Sequence, residues 1–74
     1  MTKSENFKEL ALTVVVPTYN ERDNIKPLIA LLDETLNTID WEIVFVDDDS
    51  PDGTAKEVRK IARSRQNVRI IHRV

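Results

Sequence analysis

The chain has 74 residues, enough for one small domain or for part of a larger one. Its 41% hydrophobic and 32% charged residues are the balance of a soluble globular chain, and its net charge of −2 argues against a polyanion partner such as nucleic acid. The absence of cysteine excludes disulfide frameworks and thiolate metal sites, and a single histidine, His72, excludes a histidine-built metal cluster or triad from this chain alone.

Residues 1–9 read as a polar, flexible lead-in without the apolar core of a signal peptide, and residues 10–74 as the folded part. No apolar run approaches the roughly 20 residues of a membrane-spanning helix. Leu10 to Val16 is nearly continuous in apolar character and predicts a first strand, which Pro17 ends because it cannot donate to a sheet ladder. Thr18 to Asp23 is a polar loop. Asn24 is the expected N-cap of a helix running to about Asn37, with Pro27 inside its first turn. Ile25, Leu28, Ile29, Leu32 and Leu36 fall on one face of that helix. Trp41 leads into a second strand and is expected to plug the core.

The second strand, Ile43 to Val46, is apolar without alternation, as in a strand buried on both faces of a parallel sheet. It runs into three consecutive acids, Asp47, Asp48 and Asp49, and then a turn, Ser50-Pro51-Asp52-Gly53. Thr54 to about Arg65 predicts a second helix with Ala55, Val58, Ile61 and Ala62 inward, Asp52 or Ser50 being its expected cap. Val68 to Ile71 predicts a third strand. Seven of the 11 basic residues lie in the last twenty positions, but no aromatic residues interleave with them, so they read as a solvated helix face.

The order β-α-β-α-β, with helix-length connections, implies an α/β fold: a Rossmann-like parallel sheet in order 3-2-1 with right-handed crossovers. Three strands and two helices make one mononucleotide-binding half of a doubly wound fold, with an open sheet edge and little core. That economy is expected of an N-terminal fragment of a larger domain, marginal by itself. In such sheets ligands bind at the carboxyl edge. There, loop 17–23 and loop 47–53 should lie side by side, with Tyr19 offering a ring and Glu21 and the aspartates offering acceptors. Carboxylates can read the ring N–H of a uracil or guanine, and Asp48 is placed to do so. Neither Gly-x-Gly-x-x-Gly nor Gly-x-x-x-x-Gly-Lys-Ser/Thr is present, and Gly53 is the only glycine. A diphosphate would then be held most simply by a divalent cation.

Two stretches, Val15-Val-Pro-Thr-Tyr-Asn-Glu21 and Ile43-Val-Phe-Val-Asp-Asp-Asp-Ser-Pro-Asp-Gly-Thr54, resemble the start of a family 2, GT-A-type glycosyltransferase. Within that family the wording is most similar to dolichol-phosphate or polyprenyl-phosphate mannosyltransferases. The resemblance covers about Leu12 to Arg73. It implies a nucleotide-sugar donor, typically GDP-mannose, and inverting transfer to a polyprenyl or dolichyl phosphate. It also implies that Pro17, Tyr19 and Glu21 line the nucleoside pocket and that Asp48 contacts the base, with Asp47 beside it. The family's divalent cation, Mg²⁺ or Mn²⁺, is held by an Asp-x-Asp after a fourth strand, beyond this chain, as are the acceptor-activating residues. The piece alone is therefore expected to be inactive. The same resemblance implies a cytoplasmic location, at the face of a membrane reached through regions not present here.

Other readings fit less well. A family 2 enzyme using a UDP-sugar shares much of the pattern. A haloacid dehalogenase-type phosphatase wants threonine or valine where Pro51 stands. A receiver-like signalling module, or another non-catalytic nucleotide-binding module, fits the fold class but not the motifs.

Overall fold

The computed structural model describes residues 11–74; the expected lead-in at 1–9 and the expected strand start at Leu10 lie outside them. The elements follow as β1 (Leu12–Thr18), α1 (Arg22–Thr35), β2 (Trp41–Asp48), α2 (Thr54–Ala62) and β3 (Val68–Arg73). The three strands form one sheet in the order β1-β2-β3 with both pairings parallel. The α/β, Rossmann-like reading of the sequence is therefore the observed architecture.

Both helices cover one face. Crossovers of a single hand, stepping the sheet in one direction, place successive helices on the same side, and α1 and α2 pack against each other there. On that side Ile43 and Phe45 of β2 meet Ile25 and Ile29 of α1, Val58 of α2 and Val68 of β3. Trp41 joins this core, as expected. Burying each large apolar side chain of this kind contributes about 1.5–3 kcal/mol. Leu28, Leu32 and Leu36 line its margin, as the helical periodicity predicts.

On the opposite face the central strand is still enclosed, with Val44 7% exposed, as its unbroken apolar run predicts, while the flanking strands are open. The strands are apolar on both sides, yet helices cover only one. Val15 is 62% exposed and Ile71 50% exposed on the uncovered face. An unbroken apolar run reports what a strand is able to bury, whereas coverage depends on how many elements surround the sheet.

Three boundaries also differ. β1 continues through Pro17 to Thr18, because β1 lies at an edge of this sheet, where a residue lacking an N–H is tolerated. α1 begins at Arg22 with Glu21 as N-cap, so Pro27 falls in the second turn and Asn24 is inside the helix. β2 runs on to Asp48, which places the first two aspartates of the triplet in the strand.

Candidate nucleotide-binding site

Strand pleating separates the three aspartates. Successive residues of a strand point to opposite faces. Asp47 therefore turns to the helix side, with Ile43 and Phe45, and Asp48 to the uncovered side, with Val44 and Val46.

Asp47 is 0% exposed. Its Oδ1 accepts from Thr18 Oγ1 at 2.9 Å and from Ser50 Oγ at 2.6 Å, and its Oδ2 accepts from the Ser50 backbone N–H at 3.0 Å. Burial opposes its ionisation, but the Ser50 hydroxyl and amide, the Thr18 hydroxyl and the nearby His72 outweigh that and hold its carboxyl below the usual range. Both oxygens of Asp47 are thus taken by groups of the protein, and the carboxylate faces into it. Its work is to join β1 to the loop after β2.

That loop then binds the loop after β1. Three consecutive backbone N–H groups are received by three side chains: Asn20 N–H by Ser50 Oγ at 2.8 Å, Glu21 N–H by Thr54 Oγ1 at 3.0 Å and Arg22 N–H by Asp52 Oδ2 at 3.2 Å. These amides open α1, and their acceptors come from roughly thirty residues further along the chain. Asp52 also accepts from the Thr54 amide at 3.0 Å and from the Thr54 hydroxyl. One carboxylate thus serves the N-termini of both helices. Hydrogen bonding from Thr54, with the Arg22 amide, keeps its carboxyl below the usual range despite some desolvation.

The residues at the start of α2 need one unusual backbone conformation. Gly53 is its N-cap at φ +90°, in the left-handed region that a side chain makes costly, and no side chain caps the helix through that position. Ser50, one of the two expected caps, serves the other loop instead. Asp49 also adopts the left-handed region, at φ +55°, which aspartate tolerates better than most residues.

The two outer aspartates are held by the end of β3. In the parallel register Asp47 lies beside His72 and Asp48 beside Arg73. Arg73 Nε donates to Asp48 Oδ1 at 2.7 Å. His72 Nε2 lies 3.0 Å from Asp49 Oδ1, while its Nδ1 lies 3.3 Å from Arg59 Nη2. A guanidinium only donates, so Nδ1 of the neutral ring accepts, and the ring proton sits on Nε2 and is given to Asp49.

The remaining expected residues sit around the same edge. The β1–β2 offset pairs Pro17 with Val46 and Thr18 with Asp47, and Tyr19 follows directly on the end of β1. Tyr19 is exposed. Pro17 and Glu21 line a groove of about 300 Å³ between β1 and α1, floored by Val16, Ile25 and Phe45. Glu21 Oε1 accepts from Asn24 Nδ2 at 2.7 Å. Asp48 is not in that groove; it stands over the other face of the same edge.

The aspartate triplet does not fit a metal ion. Its members point three ways and each has a different partner, and among the described residues no group of three or more His, Cys, Asp or Glu side chains is placed to hold one. Sequence reasoning missed Thr18, Thr54, His72 and Arg73 as parts of this assembly. Strand register would have found the last two, since they are the β3 positions opposite Asp47 and Asp48.

A parallel three-stranded sheet with helix crossovers and an acidic loop at its carboxyl edge defines an α/β, Rossmann-like unit. Residues 13–74 match the model of Glycosyl transferase family 2, and the chain belongs to that family. It is 41% identical over 64 residues to a dolichol-phosphate mannosyltransferase of Pyrococcus furiosus, covering 86% of this chain and 18% of the relative. It is 44% identical over 64 residues to the Saccharomyces cerevisiae dolichol-phosphate mannosyltransferase, covering 82% of this chain and 24% of that one. A mannosyltransferase from Pyrobaculum calidifontis, solved in complex with GDP-Man and Mn²⁺, superposes with a TM-score of 0.64 at 30% identity, over 86% of this chain and 19% of the other. The chain thus spans about a fifth of the length of the relatives it matches.

Proposed function

We propose that this chain supplies the N-terminal, nucleotide-binding part of a GT-A-type glycosyltransferase that moves mannose from GDP-mannose to a polyprenyl or dolichyl phosphate. The observation that carries the reading is the placement of Asp48. It ends the central strand on the uncovered face, two positions beyond Val46, the register partner of Pro17. A carboxylate there accepts the ring N–H of a base while the tyrosine ring packs on it and Pro17 borders the pocket. Glu21 lines the neighbouring groove between β1 and α1, on the covered face of the same edge. Asp47 contributes by fixing the two loops and not by touching the ligand. The names of the Pyrococcus and yeast relatives support the mannosyl and lipid-phosphate parts of the reading, and the Pyrobaculum complex supports the donor.

A divalent cation, Mg²⁺ or Mn²⁺, belongs to the same reading and would neutralise the donor diphosphate; its ligands lie outside the described residues. No described helix is long and apolar enough to cross a membrane. The site belongs on the cytoplasmic face, where nucleotide sugars are at hand.

Calorimetric titration of GDP and of UDP, with Mn²⁺ present, into the protein carrying this sequence tests the proposal. Losing the acceptor for a buried ring N–H costs about 1–3 kcal/mol, so Asp48→Ala should weaken GDP binding by roughly 5- to 150-fold. Asp49→Asn should change it little, because that carboxylate is turned to His72. Equal, small effects at both positions would end the base-reading assignment. Preference for UDP would move the reading to a UDP-sugar enzyme, and binding of neither would favour a non-catalytic module.

A further inference from the structure

The pairing of Arg73 with Asp48 has no evident purpose in stability. Both side chains are largely in solvent, Asp48 at 48% exposure, and exposed ion pairs of this kind add little to folding. The geometry is also one-sided. Where Arg65 grips Asp33 through both carboxylate oxygens, at 2.8 and 2.7 Å, Arg73 contacts Asp48 through Nε to Oδ1. Its position is not accidental, since Asp48 and Arg73 are register partners at the last rung of the β2–β3 ladder. Asp47 is buried facing the other way, and Asp49 is held by His72. Among the described residues, Asp48 is the member of the triplet whose second oxygen is offered on the uncovered face.

We propose that Arg73 is a positioning residue for nucleotide recognition: by holding Oδ1 of Asp48 it fixes the carboxylate plane and presents Oδ2 to a ring N–H of the base. This rests on the reading of Asp48 given above. An aspartate on a strand end otherwise samples several rotamers, and ordering it at the moment of binding subtracts from affinity. A guanidinium anchored on the neighbouring strand does that ordering in advance. Lysine would keep the charge without the rigid, planar Nε–H that sets the direction of this bond.

The test measures affinity for whichever of GDP and UDP the parent protein binds, and for the same nucleotide methylated at its ring N–H. Arg73→Ala should weaken the unmodified nucleotide about 2- to 10-fold, the lower part of the range for coupled neighbours. It should leave the methylated nucleotide unchanged and add nothing in the Asp48→Ala background, while Arg73→Lys should recover only part of the loss. Thermal unfolding of each variant accompanies the titrations. Equal losses for both nucleotides, or losses additive with Asp48→Ala, would place Arg73 on the phosphates or in the fold and overturn the inference. An effect of Asp48→Ala with none from Arg73→Ala would overturn it too, and would leave the reading of Asp48 standing. No effect of Asp48→Ala would remove that reading and the inference with it.

Discussion

Thr18 Oγ1 donates to Asp47 Oδ1 at 2.9 Å, and both side chains are buried. The bond links the last residue of β1 to its register partner on β2, on the covered face of the sheet. It sets the height of the two loops that follow, because Ser50, bonded to the same carboxylate, receives the Asn20 amide.

Removing the carboxylate should therefore loosen both loops together. Asp47→Ala leaves the Thr18 hydroxyl and the Ser50 amide without their acceptor, at a cost of about 1–3 kcal/mol or more, since the acceptor is charged. Thr18→Val removes one donor only and should cost less. Urea denaturation of the variants reads this difference, and a smaller loss for Asp47→Ala than for Thr18→Val would refute the role given to Asp47.

Acid should act through the same group. The Asp47 carboxyl is held below its usual range in the folded protein. The unfolded chain, titrating near 4, therefore binds its proton first as pH falls. The contribution of Asp47 is fully present above about pH 4 and is lost as pH drops through the lower, folded value. Asp52 shifts in the same direction and adds to the same window. Stability measured between pH 6 and pH 2 should fall less steeply for Asp47→Asn than for the parent.

Thr54 joins the two loops from the other side. It is fully buried, accepts the Glu21 amide and donates to Asp52. Thr54→Val is close in shape but orphans that amide, so about 1–3 kcal/mol should be lost, and hydrogen exchange at the Glu21 amide should quicken. Thr54→Ser should retain most of the protection.

Gly53 makes a conformational demand and not a spatial one. A Cβ placed there would meet Arg22 Cδ at 3.7 Å, an ordinary contact, but φ is +90°. Gly53→Ala should cost about 1–2 kcal/mol from the left-handed backbone alone. Gly53→Asn, which tolerates that region better, should cost less. Equal losses for the two would point to crowding instead.

The bidentate pair between Asp33 and Arg65 ties α1 to the segment after α2, and the Arg65 hydrogen bonds lower the Asp33 carboxyl and raise the arginine. Water reaches both partners, so Asp33→Asn should cost at most about 1 kcal/mol, shrinking as salt is added. A larger, salt-independent loss would mean that the pair is shielded from solvent.

Element order, parallel pairing and the inward faces of both helices were legible in the sequence, because hydrophobic periodicity and connection length are local properties. Trp41 and Phe45 could be assigned to the core on those grounds, and the acidic triplet to the sheet's carboxyl edge. The sequence also carried the family, in two stretches on adjacent strand ends. Which aspartate is buried and which stands on the uncovered face is a matter of tertiary structure. That depends on where β2 ends: a strand that runs to Asp48 sends Asp47 inward and Asp48 outward, whereas a strand ending at Val46 would free both. The start of α1 was likewise settled from outside the helix. The amides of Asn20, Glu21 and Arg22 find acceptors on Ser50, Thr54 and Asp52, across a gap that no local capping rule spans. Arg73 reached Asp48 for the same reason, since register between strands twenty-five residues apart is set by packing and not by neighbours in the chain.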